Sequence, residues 1–148
     1  MKAALDTNVL VYAEGLNGAD KRKTILDIVD RIAPDNRVIS VHVLGELFRV
    51  LTRKAKLPAS DARAVVLKWR GTAEIVETSE ASMLRAIDLV VDHRLPIWDS
   101  AILVAAAVRG CNLLLTEDMQ HGFVWSGVTV VDPFWTPMHP LLADALRR

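Results

Sequence analysis

Short apolar runs alternate along this chain with longer stretches that carry apolar side chains every three or four positions, and no other feature constrains the fold as tightly. Ala3-Ala4-Leu5, Arg37-Val38-Ile39-Ser40, Glu74-Ile75-Val76, the run 112–116 and Val128-Thr129-Val130-Val131 read as short strands. Between them, residues 20–33 space Ile25, Ile28, Val29 and Ile32 as an amphipathic helix. Ser40 can cap a helix reaching about Lys54, with Val43, Leu44, Leu47, Phe48 and Leu51 as its buried stripe. Pro58 separates that helix from one opened by Ser60 and closed by Gly71. Ser79 precedes a third helical pattern, Met83, Leu84, Ile87, Val90 and Val91, and residues 101–109 are apolar on nearly every face. Strands alternating with helices predict an α/β fold with a mostly parallel sheet covered on both sides. Right-handed crossovers then bring the carboxyl ends of the strands to one edge, where ligands bind in such sheets.

A chain of 148 residues is long enough to bury about two-thirds of its unfolded surface in one core. Residues 1–132 are expected to form the domain, with the proline-containing stretch 133–148 as its appendage. The longest unbroken apolar run, residues 101–108, is far below the roughly 20 residues a membrane span requires, so no membrane association is expected. Asp6-Thr7-Asn8 interrupts the apolar start, unlike a secretory signal, and the single Cys111 suits a reducing compartment as a small buried hydrophobe. These features point to the cytoplasm. Net charge is zero, yet residues 1–70 carry 13 basic and 8 acidic side chains against 5 and 10 in the remainder. Arg49, Arg53, Lys54, Lys56, Arg63, Lys68 and Arg70 face only Asp61 in their stretch. A patch of that sign can hold phosphates, and it can equally be a solvated helical face.

Four acids stand out by position. Asp6 follows the first strand, Asp118 follows the run 112–116 with Glu117 beside it, Asp99 starts the most apolar helix, and Glu46 borders an apolar stripe. Each has an ordinary reading: Asp6 and Asp99 as helix caps, Glu46 as the partner of Arg49 or Arg53, and Glu117-Asp118 as a turn. Together they are informative, because gathered carboxylates repel one another and raise each other's pKa unless a cation compensates. Oxygen donors without nearby His or Cys suit Mg²⁺ or Mn²⁺. Such an ion beside a basic surface fits phosphodiester hydrolysis. Asn8 and Thr116 can orient the carboxylates.

Leu5-Asp6-Thr7-Asn8-Val9-Leu10-Val11-Tyr12, then Glu46 on a helix, Trp98-Asp99-Ser100, and Leu114-Leu115-Thr116-Glu117-Asp118-Met119 in that order resemble the PIN-domain nucleases, in particular the VapC-type toxins. The resemblance implies a three-layer α/β/α sandwich and an Mg²⁺- or Mn²⁺-dependent endoribonuclease with a catalytic quartet of Asp6, Glu46, Asp99 and Asp118. It further implies an RNA substrate, a cognate antitoxin and a homodimer. Arg49, Arg53, Lys54 and Lys56 are the candidate RNA contacts. Ser100 stands where alanine is more usual.

Other chemistries lack their motifs: there is no G-x-G-x-x-G, no G-x-x-x-x-G-K and no G-x-S-x-G. Asn8 occupies the place where an aspartyl phosphatase needs its second Asp. A non-catalytic module that docks protein or RNA on this fold is the remaining alternative. The histidines are scattered without metal-ligand spacing; His42, four residues before Glu46 on the same helix face, could approach substrate, although a surface position is its ordinary reading. The four tryptophans could stack on bases; core packing is the ordinary reading of Trp69 and Trp98, whereas Trp125 and Trp135 fall in loop or tail segments open to substrate or a partner.

Overall fold

The computed structural model describes residues 1–147. Six strands and seven α-helices follow one another as β1 (Ala3–Leu5), α1 (Thr7–Ala13), α2 (Ala19–Arg31), β2 (Arg37–Ser40), α3 (Val41–Arg53), α4 (Ala59–Arg70), β3 (Glu74–Val76), α5 (Glu80–His93), α6 (Ile97–Val108), β4 (Leu113–Leu115), β5 (Val124–Trp125), β6 (Val128–Val131) and α7 (Pro140–Ala145). The sheet order is β3-β2-β1-β4-β6-β5. Every pairing is parallel except β5 with β6. This is the three-layer α/β/α architecture, with a mostly parallel sheet at its centre.

The strands form where the side chains are apolar on both faces. All residues of β1, β2, β4 and β6 are buried, as befits strands covered by helices on each side. Leu5, Ile39, Leu113, Leu114 and Leu115 are each at most 1% exposed. The chain runs outward from β1 through β2 to β3, then crosses back to lay β4 on the other flank of β1. The strand order therefore reverses between β1 and β4, and a crevice opens at their carboxyl ends.

Two expectations change in the folded chain, at β5 and on α3. β5 is an additional strand, built from the segment around Trp125 that reads as loop. Ser126 and Gly127 both adopt positive φ (47° and 80°), the conformation of a two-residue hairpin turn whose twist suits antiparallel pairing. On α5 the buried residues are Ser82, Ala86 and Leu89, while Leu84, Ile87 and Val91 face outward. α5 packs against α6, and a face of small residues lets two helices approach more closely than one of branched apolar side chains. On α3, Val43, Leu47 and Leu51 are buried but Phe48 is not. With Val41 and Leu44, Phe48 lines an apolar groove of about 610 Å³ shared with Val66 and Leu67 of α4.

The caps follow the sequence where a hydroxyl is available. Ser40 Oγ accepts from Val43 N at 3.3 Å and Ser79 Oγ from Ser82 N at 3.1 Å. α4 begins instead behind Pro58 without a side-chain cap, so Ser60 lies inside its first turn. The C-terminal stretch packs on the domain: Leu142 and Leu146 are buried, and the Tyr12 and Phe134 rings meet edge to face with centroids 5.3 Å apart. Among the described residues no helix is long and apolar enough to cross a membrane.

Candidate active site

The register of the two central strands builds the site. Leu5 pairs with Leu115, so the next residue on each strand, Asp6 and Thr116, meet at the sheet edge. Thr116 Oγ1 donates to Asp6 Oδ2 at 2.8 Å, and Thr7 N donates to Asp6 Oδ1 at 2.7 Å. Asp6 caps α1, the ordinary reading of this residue. It is only 4% exposed. Burial foremost, and then the nearby charges of Asp99 and Asp118, push its carboxyl up to about 6 against the opposing effect of the Thr116 and Thr7 bonds.

Asn8 ties the two strand ends together. Its Nδ2 donates to Thr116 Oγ1 at 2.9 Å and to Asp118 Oδ2 at 3.0 Å. Thr116 Oγ1 also accepts from Asp118 N at 3.1 Å, which fixes the turn after β4. Asn8 and Thr116 thus hydrogen-bond the Asp118 and Asp6 carboxylates. Asp118 itself is exposed at the mouth of the crevice.

Glu46 reaches the same place from α3. Its Oε2 accepts from Thr7 Oγ1 at 2.9 Å, and its Oε1 lies 3.2 Å from His42 Nε2 one turn back. The alternative pairing with Arg49 or Arg53 is not formed. Asp99 lies in the first turn of α6. Burial, followed by the charges of Asp118 and Glu46, raises its pKa, partly offset by His42. The charges of Asp99 and Asp118 thus bear on Asp6, and those of Asp118 and Glu46 on Asp99.

Glu117 is engaged elsewhere. Its carboxylate accepts from the Tyr12 hydroxyl and from Lys21 Nζ, the latter at 2.9 Å, and Lys21 also reaches the Tyr12 hydroxyl at 3.1 Å. Burial and the bond to Glu117 raise the Tyr12 pKa. The crevice, about 300 Å³, is lined by Thr7, Asn8, Glu46, Lys54, Glu117 and Asp118 among others. Arg49 and Arg53 join Glu46 and Lys54 around an adjoining hollow of about 240 Å³. Lys56, in the loop after α3 with φ 57°, lines neither.

Two further residues adjoin the acids. His42 reads as a surface residue and Trp98 as core, yet their rings stack with centroids 4.8 Å apart and planes 14° from parallel, and Trp98 is 51% exposed. His42 precedes Glu46 by one helical turn and Trp98 adjoins Asp99, and those spacings were the available signals.

The donor set suits a hard divalent cation: carboxylate oxygens only, one of them buried and held above its ordinary pKa partly by its neighbours' charge. Among the described residues no three His, Cys, Asp or Glu side chains are grouped so as to hold a metal ion. Thr116, Thr7 and Asn8 hold the oxygens of Asp6 and Asp118 instead.

A carboxylate-lined crevice at the switch point of a parallel α/β sheet defines a class of acidic sites built for cation-assisted chemistry. The chain belongs to the PIN domain family, whose profile matches residues 3–122. VapC20 of Mycobacterium tuberculosis, described as a sarcin-ricin loop cleaving toxin, is similar with a TM-score of 0.65 at 16% identity, over 76% of this chain and 87% of that one. A toxin–antitoxin complex from Klebsiella pneumoniae gives 0.68 at 20% identity, over 90% and 98%. DNA-bound VapBC from Salmonella typhimurium gives 0.65 at 17%, over 90% and 98%. At such identities the likeness is one of fold. No curated protein matches the sequence.

Proposed function

We propose that this chain is a divalent-metal-dependent endoribonuclease and the toxin of a toxin–antitoxin pair. The observation that carries the proposal is that Asp6, Glu46, Asp99 and Asp118 lie close enough for their charges to bear on one another, with Glu46 and Asp118 lining a crevice beside Lys54, Arg49 and Arg53. Asp6, Asp99 and Asp118 would hold Mg²⁺ or Mn²⁺, which supplies an activated water and offsets charge on the phosphate oxygens.

The chain's own residues do the remainder. The Thr7 hydroxyl holds Glu46, whose carboxylate lines the crevice and can accept a proton from the attacking water. Asn8 and Thr116 keep Asp6 and Asp118 from rotating apart. Lys54, Arg49 and Arg53 bind the phosphates of the strand on either side of the cut, and Lys56 extends that basic face along the loop. The solved proteins of like fold include a toxin that cleaves the sarcin-ricin loop and toxins in complex with antitoxins, which supports RNA as substrate and an antitoxin as partner. The apolar groove between α3 and α4 offers a partner a surface to cover. A homodimer acting in the cytoplasm completes the reading.

Cleavage of total RNA by the purified chain in Mg²⁺ or Mn²⁺, lost in Asp6→Asn and Asp118→Asn and in excess chelator, tests the proposal. Both variants should melt cooperatively. Activity that survives either substitution or the chelator would sink the proposal, and a folded wild-type chain that cuts no RNA would favour the non-catalytic docking module.

A further inference from the structure

Trp98 is a large apolar side chain left half exposed beside a charged crevice, a position that burial alone disfavours. It sits in the first turn of α6 behind Pro96, whose extended backbone (φ −57°, ψ 145°) opens the helix, so its main chain is fixed. The His42 imidazole lies flat against one indole face, 4.8 Å away and 14° from parallel. His42 in turn stands 3.2 Å from Glu46. One face of the indole is therefore occupied and its plane set, and the same pair of residues adjoins both Glu46 and Asp99.

From this arrangement we infer that the Trp98–His42 stack is a platform on which an unpaired RNA base lies, placing the phosphate next to that base over Glu46 and Asp99. The inference rests on the reading of the crevice as an RNA site, and it adds the residue that positions the substrate there. An aromatic ring whose plane is already fixed loses little freedom when a base stacks on it, and a base offers the flat apolar face that matches it. Stacking is indifferent to Watson–Crick edges but requires a base free of its duplex, so the platform selects single-stranded or looped RNA over paired RNA. The basic side chains Lys54, Arg49 and Arg53, on the same helix as His42, would take the phosphates beyond it.

The test uses the intact chain and a fluorescein-labelled A12 RNA, together with a set of A12 RNAs in which a single abasic nucleotide is walked along the strand. Affinity is read by anisotropy in EDTA, so that no cleavage intervenes, for wild type, Trp98→Ala and Trp98→Phe. Trp98→Ala is expected to weaken A12 binding roughly ten- to a hundredfold and Trp98→Phe only a few-fold. One abasic position should cost the wild type a similar factor and cost Trp98→Ala nothing further, a non-additivity that a merely structural role for Trp98 would not produce. Abasic penalties that are the same in wild type and Trp98→Ala overturn the platform. So does a Trp98→Ala chain that loses self-association while its RNA affinity is unchanged. Cleavage by the wild type in Mg²⁺ is measured in parallel: non-additive binding without cleavage keeps the platform and refutes the nuclease, whereas cleavage with additive penalties does the reverse. Neither binding nor cleavage refutes both.

Discussion

Thr7 Oγ1 donates to Glu46 Oε2 at 2.9 Å, joining the first residue of α1 to the middle of α3. A hydroxyl at this one position thus aligns a carboxylate 39 residues away with the Asp6 edge of the crevice. Thr7→Val keeps the shape and removes the donor. Cleavage should fall about tenfold, as when an orienting hydrogen bond to a functional carboxylate is lost, with the fall in kcat and little change in KM. Thr7→Ser should restore most of it.

The raised pKa of Asp6 makes stability depend on pH and on divalent ions. The unfolded carboxyl titrates near 3.8 and the folded one near 6. Between those values the folded chain keeps a proton that the unfolded chain has lost, so stability falls as pH rises through 6. The difference amounts to about 3 kcal/mol for a shift of this size. Thermal melts from pH 4 to pH 8 should show the decline once the other titrating groups are accounted for. Millimolar Mg²⁺ or Mn²⁺ should raise Tm at pH 8 and leave it unchanged at pH 4. A rise of equal size at both pH values would contradict this assignment.

Thr116 is fully buried and serves three partners: it donates to Asp6 and accepts from Asn8 and from Asp118 N. Thr116→Val leaves buried groups unpaired. Urea unfolding should report a loss of about 1–3 kcal/mol, accompanied by a further rise in the Asp6 pKa observable by carboxyl NMR.

Ser100 offers the opposite case. It is 0% exposed and its Oγ has no hydrogen-bond partner among the described residues. Ser100→Ala removes an unsatisfied buried hydroxyl and should stabilise the chain by about 1 kcal/mol. RNA cleavage should be unaffected, because Asp99 keeps its place in the first turn of α6.

Glu117 and Asp118 are adjacent but separable. The Glu117 carboxylate is held by Tyr12 and Lys21, so Glu117→Gln should retain cleavage while Asp118→Asn abolishes it, compared on the same RNA at the same metal concentration.

The parts of the site that follow from strand ends are legible in the sequence. Apolar runs covered on both faces mark β1 and β4, and the residue after each must lie at the sheet edge, so Asp6, Thr116 and Asp118 can be placed from the pattern alone. Glu46 and Asp99 needed the order of all four acids to stand out from ordinary cap and ion-pair readings. Trp98 was not legible, because its apolar neighbours suggest burial whereas its orientation depends on the angle at which α6 meets α3. The pattern Met83, Leu84, Ile87, Val90 and Val91 marks α5 as a helix but not its buried side, which carries Ser82, Ala86 and Leu89. β5 is only two residues long, and Ser126-Gly127 was the sole local sign of its turn.

Asp6 N bonds to Leu115 O and Thr116 N to Val131 O, each at 3.1 Å, which carries the ladder of β1, β4 and β6 right up to the carboxylates. The acids at those strand ends are consequently anchored in the slowest-opening part of the molecule. Their amides should exchange with solvent only when the whole domain unfolds, while the exposed face of α3 and α4 opens and closes many times over. The centre of the crevice is as durable as the fold itself, and the capacity to adapt to different occupants resides in its rim.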